Sequence, residues 1–302
     1  MPMTNFPFGF QNGVSIQNIP IITPIPGNVF WVDSATGSNG ANGTQNSPFA
    51  TIDYAIGRCT ANNGDVIFVK PGHAETVSAA AGIDFDVAGV SVIGLGSGSN
   101  RPTITMSATT STIHMDAANC LLSNMLIVPT AAVVVGIDVD KADCTIHKCE
   151  FRGGATTLQF TDAIEIVGAG ANACDRTSII DCEFFVAAGV TDPDSAIELG
   201  EVADRITISG CVVRGGYDDA PIHNPTGKVL TNLLIKDCIL ENTQTGDHSL
   251  ELVSACTGML VRNMYKSDMT QATASDPGSC FSFECYHDDA IDTNGILSPV
   301  AT

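Results

Sequence analysis

Positive charge is scarce in this chain of 302 residues: Lys and Arg total 13 against 33 Asp and Glu, a formal net charge of −20. A surface that negative repels phosphate backbones and anionic lipid heads, so neither nucleic acid nor membrane is an expected partner. Charged residues of both signs make up only 15% of the chain, too few for a disordered chain, a coiled coil or a long helical bundle. No apolar run approaches the roughly 20 residues of a membrane-spanning helix. No Lys or Arg precedes Arg58, so the basic start of a secretory signal is missing. The 11 Cys include no CxxC pair and His is scarce at 6, which removes the usual structural zinc site. No GxSxG, Walker loop or HExxH occurs. A single Trp and 4 Tyr leave few platforms for stacking sugars, which weighs mildly against a glycan-processing protein.

What the chain does contain is a repeat. A short pattern recurs: apolar, two residues, Cys or Met, one residue, apolar. It appears at Leu122–Met125–Ile127, Ile146–Cys149–Phe151, Ile179–Cys182–Phe184, Ile208–Cys211–Val213 and Ile235–Cys238–Leu240. Weaker copies surround Leu95 and Met264, and the steps between the marker positions are 30, 24, 33, 29, 27 and 26. A second column is a short alternating strand with an acid or His at its centre. Its central positions are His114, Asp138, Glu165, Glu198, His223, Glu251 and Glu284. It has the same mean spacing, about 28, and its period-2 alternation marks strands with one buried face.

Two strand columns at one constant period, joined by loops rich in Gly, Asn, Asp and Thr, imply a solenoid of stacked coils. Helical repeats are excluded because no repeat holds ten residues of 3.6-periodic pattern, and leucine-rich repeats need a denser Leu signature. An all-β, single-stranded parallel β-helix remains, in which Cys falls on Cys and Ile on Ile to build a continuous core. Met125, Cys149, Cys182, Cys211 and Cys238 are the expected core ladder. The cysteines are therefore read mostly as small buried apolar residues with reduced thiols, suited to a reducing cytoplasm.

The turn pattern resembles the right-handed parallel β-helix (pectate-lyase-like) superfamily, together with Phe30–Ser34 and the run from Asn46 to Ile52. The segment Asn63-Gly-Asp-Val-Ile-Phe-Val-Lys-Pro-Gly72 is similar to the first coil of many bacteriophage proteins of that architecture. The resemblance covers about residues 29 to 285 and implies a right-handed coil and a homotrimer. The fold hosts lyases, hydrolases, tailspikes and inert virion parts, so it fixes architecture more than activity.

Three regions follow. Residues 1–28 form an extended arm, apolar and uncharged, whose Phe6, Phe8, Phe10, Ile16, Ile19, Ile21, Ile22 and Ile25 suit a partner's groove or the chain's own first coils. Residues 29–285 are the β-helix, and residues 286–302 an acidic tail expected to leave it. Ser47 at N-cap and Pro48 at N1, followed by Ile52, Ala55, Ile56 and Cys59, predict a short capping helix over the N-terminal end.

The acid-and-His column is open to three roles. Paired carboxylates one or two coils apart have glycosidase spacing, with Glu198, His223 and Glu251 the candidates and Asp218 and Asp219 nearby. Facing carboxylates could instead hold a divalent cation such as calcium, with Asp138, Glu165 and Glu198 as ligands. The third role is a solvated face, favoured by the even spread over every coil. Arg152 and Arg214 precede Gly turns and are read as structural rather than as lyase bases, and His73 as a loop residue satisfied by backbone. The expectation is a bacteriophage virion structural protein, a capsid decoration or auxiliary protein that acts by docking to itself and to a major capsid or other virion protein. It is assembled in the host bacterial cytoplasm and needs no cofactor. The alternative is a tailspike-like polysaccharide hydrolase or lyase using the acidic ladder.

Overall fold

The computed structural model describes residues 15–16, 19–20, 27–154, 157–187, 193–267, 274–287 and 295–297. Nearly all of them lie in a parallel β-solenoid of three sheets, with ten, ten and eight strands. Each coil contributes one strand to each sheet in turn. One such coil is Thr145–His147, Glu150–Arg152 and Phe160–Ile166. Its strands pair in parallel with Ser178–Ile180, Glu183–Phe185 and Ser195–Glu198 of the next coil.

Alternation dictates these strands. Val66–Val69 and Thr103–Met106 bury every second side chain, and the other half stands outward. Register then stacks like on like: Leu122, Ile146, Ile179, Ile208, Ile235 and Leu260 form one inward column of the first sheet, all fully buried. Each such side chain contributes about 1.5–3 kcal/mol by leaving water, and none has a core without its neighbours above and below.

The structure has three strand columns where two were expected. The repeated motif is two strands bent around a corner. Leu122 sits at the centre of the strand Leu121–Ser123, Asn124 turns, and Met125 leads into Leu126–Pro129 of the second sheet. The turning residue has positive φ on successive coils: Asn124, Lys148, Asp181, Gly210, Asp237, Arg262 and Glu284, with φ between 51° and 67°. An L-residue pays roughly 1–2 kcal/mol for this conformation, yet only one of the seven is Gly. Stacking fixes the corner: Asn124 Nδ2 donates to the carbonyls of Gly94 and Gly96, and Arg262 forms a fork with both carboxylate oxygens of Asp237 at 2.7 and 2.9 Å.

The cysteine ladder sits just inside that corner. Cys149, Cys182, Cys211 and Cys238 are at most 1% exposed. The thiols of Cys182, Cys211 and Cys238 lie within hydrogen-bond reach along the column, and each also reaches a carbonyl of the preceding coil. All 11 cysteines are unbonded and nine are buried. Burial pushes the Cys149 thiol up to about 11 and the Cys144 thiol up to about 12. In the late copy Asn263, not Met264, occupies the ladder. Asn263 is fully buried, accepts from the Cys238 N–H at 3.0 Å and donates to the Ile235 carbonyl at 2.9 Å, while Met264 points outward.

The ends differ in detail from expectation. The helix is shorter and later, Ile52–Ile56, with Thr51 rather than Ser47 as N-cap; Ser47 instead bridges Thr44. Its buried Ile52, Ala55 and Ile56 pack on Val29–Val32, Val66–Val69 and Ile83–Asp84. In the Asn63–Gly72 segment, fully buried Asp65 accepts from the Thr60 N–H and Asn63 Nδ2, both at 2.7 Å, and from the Asn28 N–H. Burial opposes its charge, but these donors hold its carboxyl below the usual range. At the other end Cys285–His287 is still a parallel strand of the second sheet, and Gly295–Leu297 pairs antiparallel with it, so the solenoid extends past 285. Of the arm residues, Ile16 and Ile19 are described in backbone only, in a small antiparallel pair of Ser15–Ile16 with Ile19–Pro20. Phe6, Phe8, Phe10, Ile21, Ile22 and Ile25 lie outside the described residues.

Candidate functional site

The outward column of the third sheet holds the ionisable groups in unbroken register. Asp84 opposes His114, and the column continues through Asp138, Glu165, Glu198, His223, Glu251 and Asp276. Glu284 is not its last rung. Phe281–Phe283 belongs to the first sheet, beside Gly258–Val261, and Glu284 is a corner residue. Asp276 takes the expected place.

Two local clusters break the uniformity. In the upper one, His114 lies 3.7 Å from Asp84 and 3.2 Å from Asp140. Beside it, burial and the neighbouring Asp140 push the Asp138 carboxyl up to about 7. In the lower one, His223 Nδ1 lies 3.5 Å from Glu198 Oε2 and 3.4 Å from Asp219 Oδ2. Burial works against the charge on this imidazole, but the close Glu198 carboxylate and the charges of Asp219 and Glu251 prevail and raise its pKa. His248 sits 3.9 Å from Glu251. The candidates Glu198, His223 and Glu251 thus stand on three consecutive rungs.

A second row behind this column escaped the sequence. Asp162 is 8% exposed and accepts from Ser195 Oγ at 2.6 Å. Its burial, with the charges of Glu198, Asp194 and Glu165, pushes its carboxyl up to about 7. Burial also raises Glu165 and Asp194, reinforced by Glu198 for the first and by Asp219 and Asp218 for the second. The signal was available: Phe160–Ile166 is a long strand, and a buried Asp two residues before Ile164 breaks its apolar run.

Two sets of groups converge closely enough to share a cation, among the described residues: His114 with Asp116 and Asp140, and Glu198 with Asp219 and His223. Of the expected ligands Asp138, Glu165 and Glu198, only Glu198 belongs to such a set. Arg152 and Arg214 stand outward on the second sheet, in line through Phe185, and pair with Glu150 and Glu241 respectively. His73 is 1% exposed and structural, though its partners are more than backbone. Its Nδ1 accepts from the Ser34 N–H at 2.9 Å, placing the proton on Nε2, which faces Glu75 at 3.0 Å. Glu75 in turn accepts from the Ile52 N–H, pinning the helix to the first coil.

No protein-family model matches the chain, and no curated protein matches it by sequence. Solved structures do. The pectate lyase Pel9A aligns over 87% of this chain and 77% of its own, with a TM-score of 0.51 at 10% identity. A rhamnogalacturonan lyase aligns over 90% and 66% with a TM-score of 0.47 at 13% identity. A protein of Geobacillus virus E2, ORF18, aligns over 85% and 50% with a TM-score of 0.47 at 10% identity. The chain therefore spans just under two thirds of the rhamnogalacturonan lyase and half of the viral protein. At these identities the likeness to Pel9A shows one thing, the fold: this chain is a parallel β-solenoid like that pectate lyase.

Proposed function

We propose that this chain is a structural component of a bacteriophage particle, a decoration or auxiliary protein that docks on the capsid exterior. In this reading it is a homotrimer of right-handed coils, the hand that parallel crossovers take, assembled in the host cytoplasm. The observation that carries it is the segregation of charge between faces of one rigid stack. The third sheet presents an acid or His on every rung from Asp84 to Asp276, whereas the outward positions of the first sheet carry no carboxylate. Such a rod can attach through one side while its acidic side faces solvent and resists aggregation. The phage part of the proposal rests on the resemblance of the first coil, Asn63–Gly72. Co-sedimentation with capsids tests it: removal of residues 1–28 is expected to abolish binding, and binding undiminished by that removal argues against an anchoring arm.

A second reading is favoured by one observation, the raised carboxyls around Glu198. A proton-bearing carboxyl near neutral pH beside an ionised one is the equipment of a glycoside hydrolase. Glu198 and Glu251 stand two rungs apart, about 9.6 Å by strand spacing, just past the roughly 9.5 Å limit of the inverting window. Release of reducing sugar from host polysaccharide, lost in Glu198→Gln and Glu251→Gln, decides for the enzyme. A cation on Glu198, Asp219 and His223 belongs to the same reading; millimolar calcium then raises the melting temperature, and an unchanged melting temperature removes it.

A further inference from the structure

We infer that the outward face of the first sheet is the surface on which a second copy of this chain docks, an inference that rests on the docking reading above. The register of its ten strands defines two outward columns. One runs from Val29 through Thr145 and Leu234 to Phe281, the other from Trp31 through His147 and Lys236 to Phe283. No Asp or Glu occupies either column, and His147 and Lys236 are their only ionisable side chains. On the third sheet the equivalent column carries six carboxylates: Asp84, Asp138, Glu165, Glu198, Glu251 and Asp276.

That contrast selects the partner. A second copy also brings a net charge of −20. Two such molecules meet with least repulsion where neither presents a carboxylate, whereas a basic partner would choose the third sheet. The face is also apolar where contact matters. At its first rungs Trp31 and Phe68 pack with ring centroids 5.2 Å apart. At its last rungs Met259, Phe281 and Phe283 are 49%, 77% and 58% exposed. Between them, small Ser and Thr side chains such as Thr145, Ser178 and Thr207 keep the surface flat enough for two straight stacks to lie together.

The borders fit as well. On one corner Arg176 grips Asp143 through two contacts of 2.6 Å, and on the other Arg262 grips Asp237, giving a charged rim around a strip free of carboxylates. Ten strands span about 43 Å, and their three to four residues about 12 Å. The footprint is then about 500 Å² per copy and about 1,000 Å² per pair, at the roughly 1,000 Å² that a specific interface needs.

Sedimentation velocity of the full chain at about 20 μM and 0.15 M salt tests the inference without any capsid. The native chain is expected to run at twice the monomer mass or more. Thr207→Glu and Ile180→Glu, which place a carboxylate at the centre of the face, are expected to weaken association at least tenfold with little change in melting temperature. Val212→Glu, on the outward side of the second sheet, is the control and is expected to associate like the native chain, as is the chain lacking residues 1–26. A monomeric native chain, or face variants that associate as well as it does, overturns the inference. So does an oligomer lost on removing residues 1–26 but kept in Thr207→Glu, which places the contact in the arm. A native chain that self-associates through this face but does not co-sediment with capsids refutes the docking reading while leaving this face assigned.

Discussion

Asp162 is the group whose ionisation costs the fold most legibly. Its carboxyl rises from the ordinary 3.8 to about 7 because it is buried and faced by Glu198, Asp194 and Glu165. A carboxyl raised in the folded state destabilises it: the loss begins as pH climbs past the unfolded value, grows until pH reaches the folded value, and then levels off. At 1.36 kcal/mol per pKa unit, the rise from 3.8 to about 7 amounts to about 4 kcal/mol once Asp162 is ionised. Asp162→Asn keeps the shape and an acceptor for the Ser195 hydroxyl but removes the charge. The variant is therefore expected to gain on the native protein by about 4 kcal/mol between pH 4 and pH 8. For a chain of 302 residues that is roughly 6 °C in melting temperature. Paired thermal scans at the two pH values read it directly. A difference between variant and native protein that is the same at pH 4 and pH 8 refutes the titration of a buried carboxyl at this position.

The thiol column gives two further expectations. Cys211→Asp places a carboxylate between Cys182 and Cys238 with no partner and is expected to cost 3–5 kcal/mol or more, whereas Cys211→Ala costs about 1–2; urea titration separates them. With a thiol reagent at neutral pH, partly exposed Cys59 and Cys280 are expected to react first, and the nine buried cysteines only after unfolding. Rapid labelling of all eleven in the folded protein contradicts the buried ladder.

Much of the fold was legible because stacking forces identity at a fixed spacing. The Cys positions 149, 182, 211 and 238 and the acid positions 138, 165, 198 and 251 carried the period through loops of different length. The corner was not legible. Its residues are Asn, Lys, Asp, Gly, Asp, Arg and Glu in turn, so composition does not mark a backbone conformation held by the coils on either side. The six-residue motif therefore read as one strand. Phe283-Glu284-Cys285 imitates the alternation of Ile164-Glu165-Ile166, and only pairing with Met259–Val261 separates them. Thr51 outcompeted Ser47 as helix cap because Ser47 is spent on a bridge to Thr44. At the candidate site, the outward ladder was visible as a column of charge. The converging groups Asp162, Asp194 and Asp140 come from flanking positions whose approach depends on register, not on periodicity.

Disulfide trapping across coils tests the stacking most directly. Glu183 and Val212 are 29 positions apart and directly opposed on adjacent rungs, about 4.8 Å between Cα atoms by strand spacing, within the range a disulfide spans. Glu183 and Arg214 are two residues out of register, about 8 Å apart and beyond that range. Under mild oxidation Glu183→Cys with Val212→Cys is expected to form an intramolecular disulfide in high yield, and Glu183→Cys with Arg214→Cys very little. Equal yields from the two pairs, or no bond in the first, contradict a solenoid in this register.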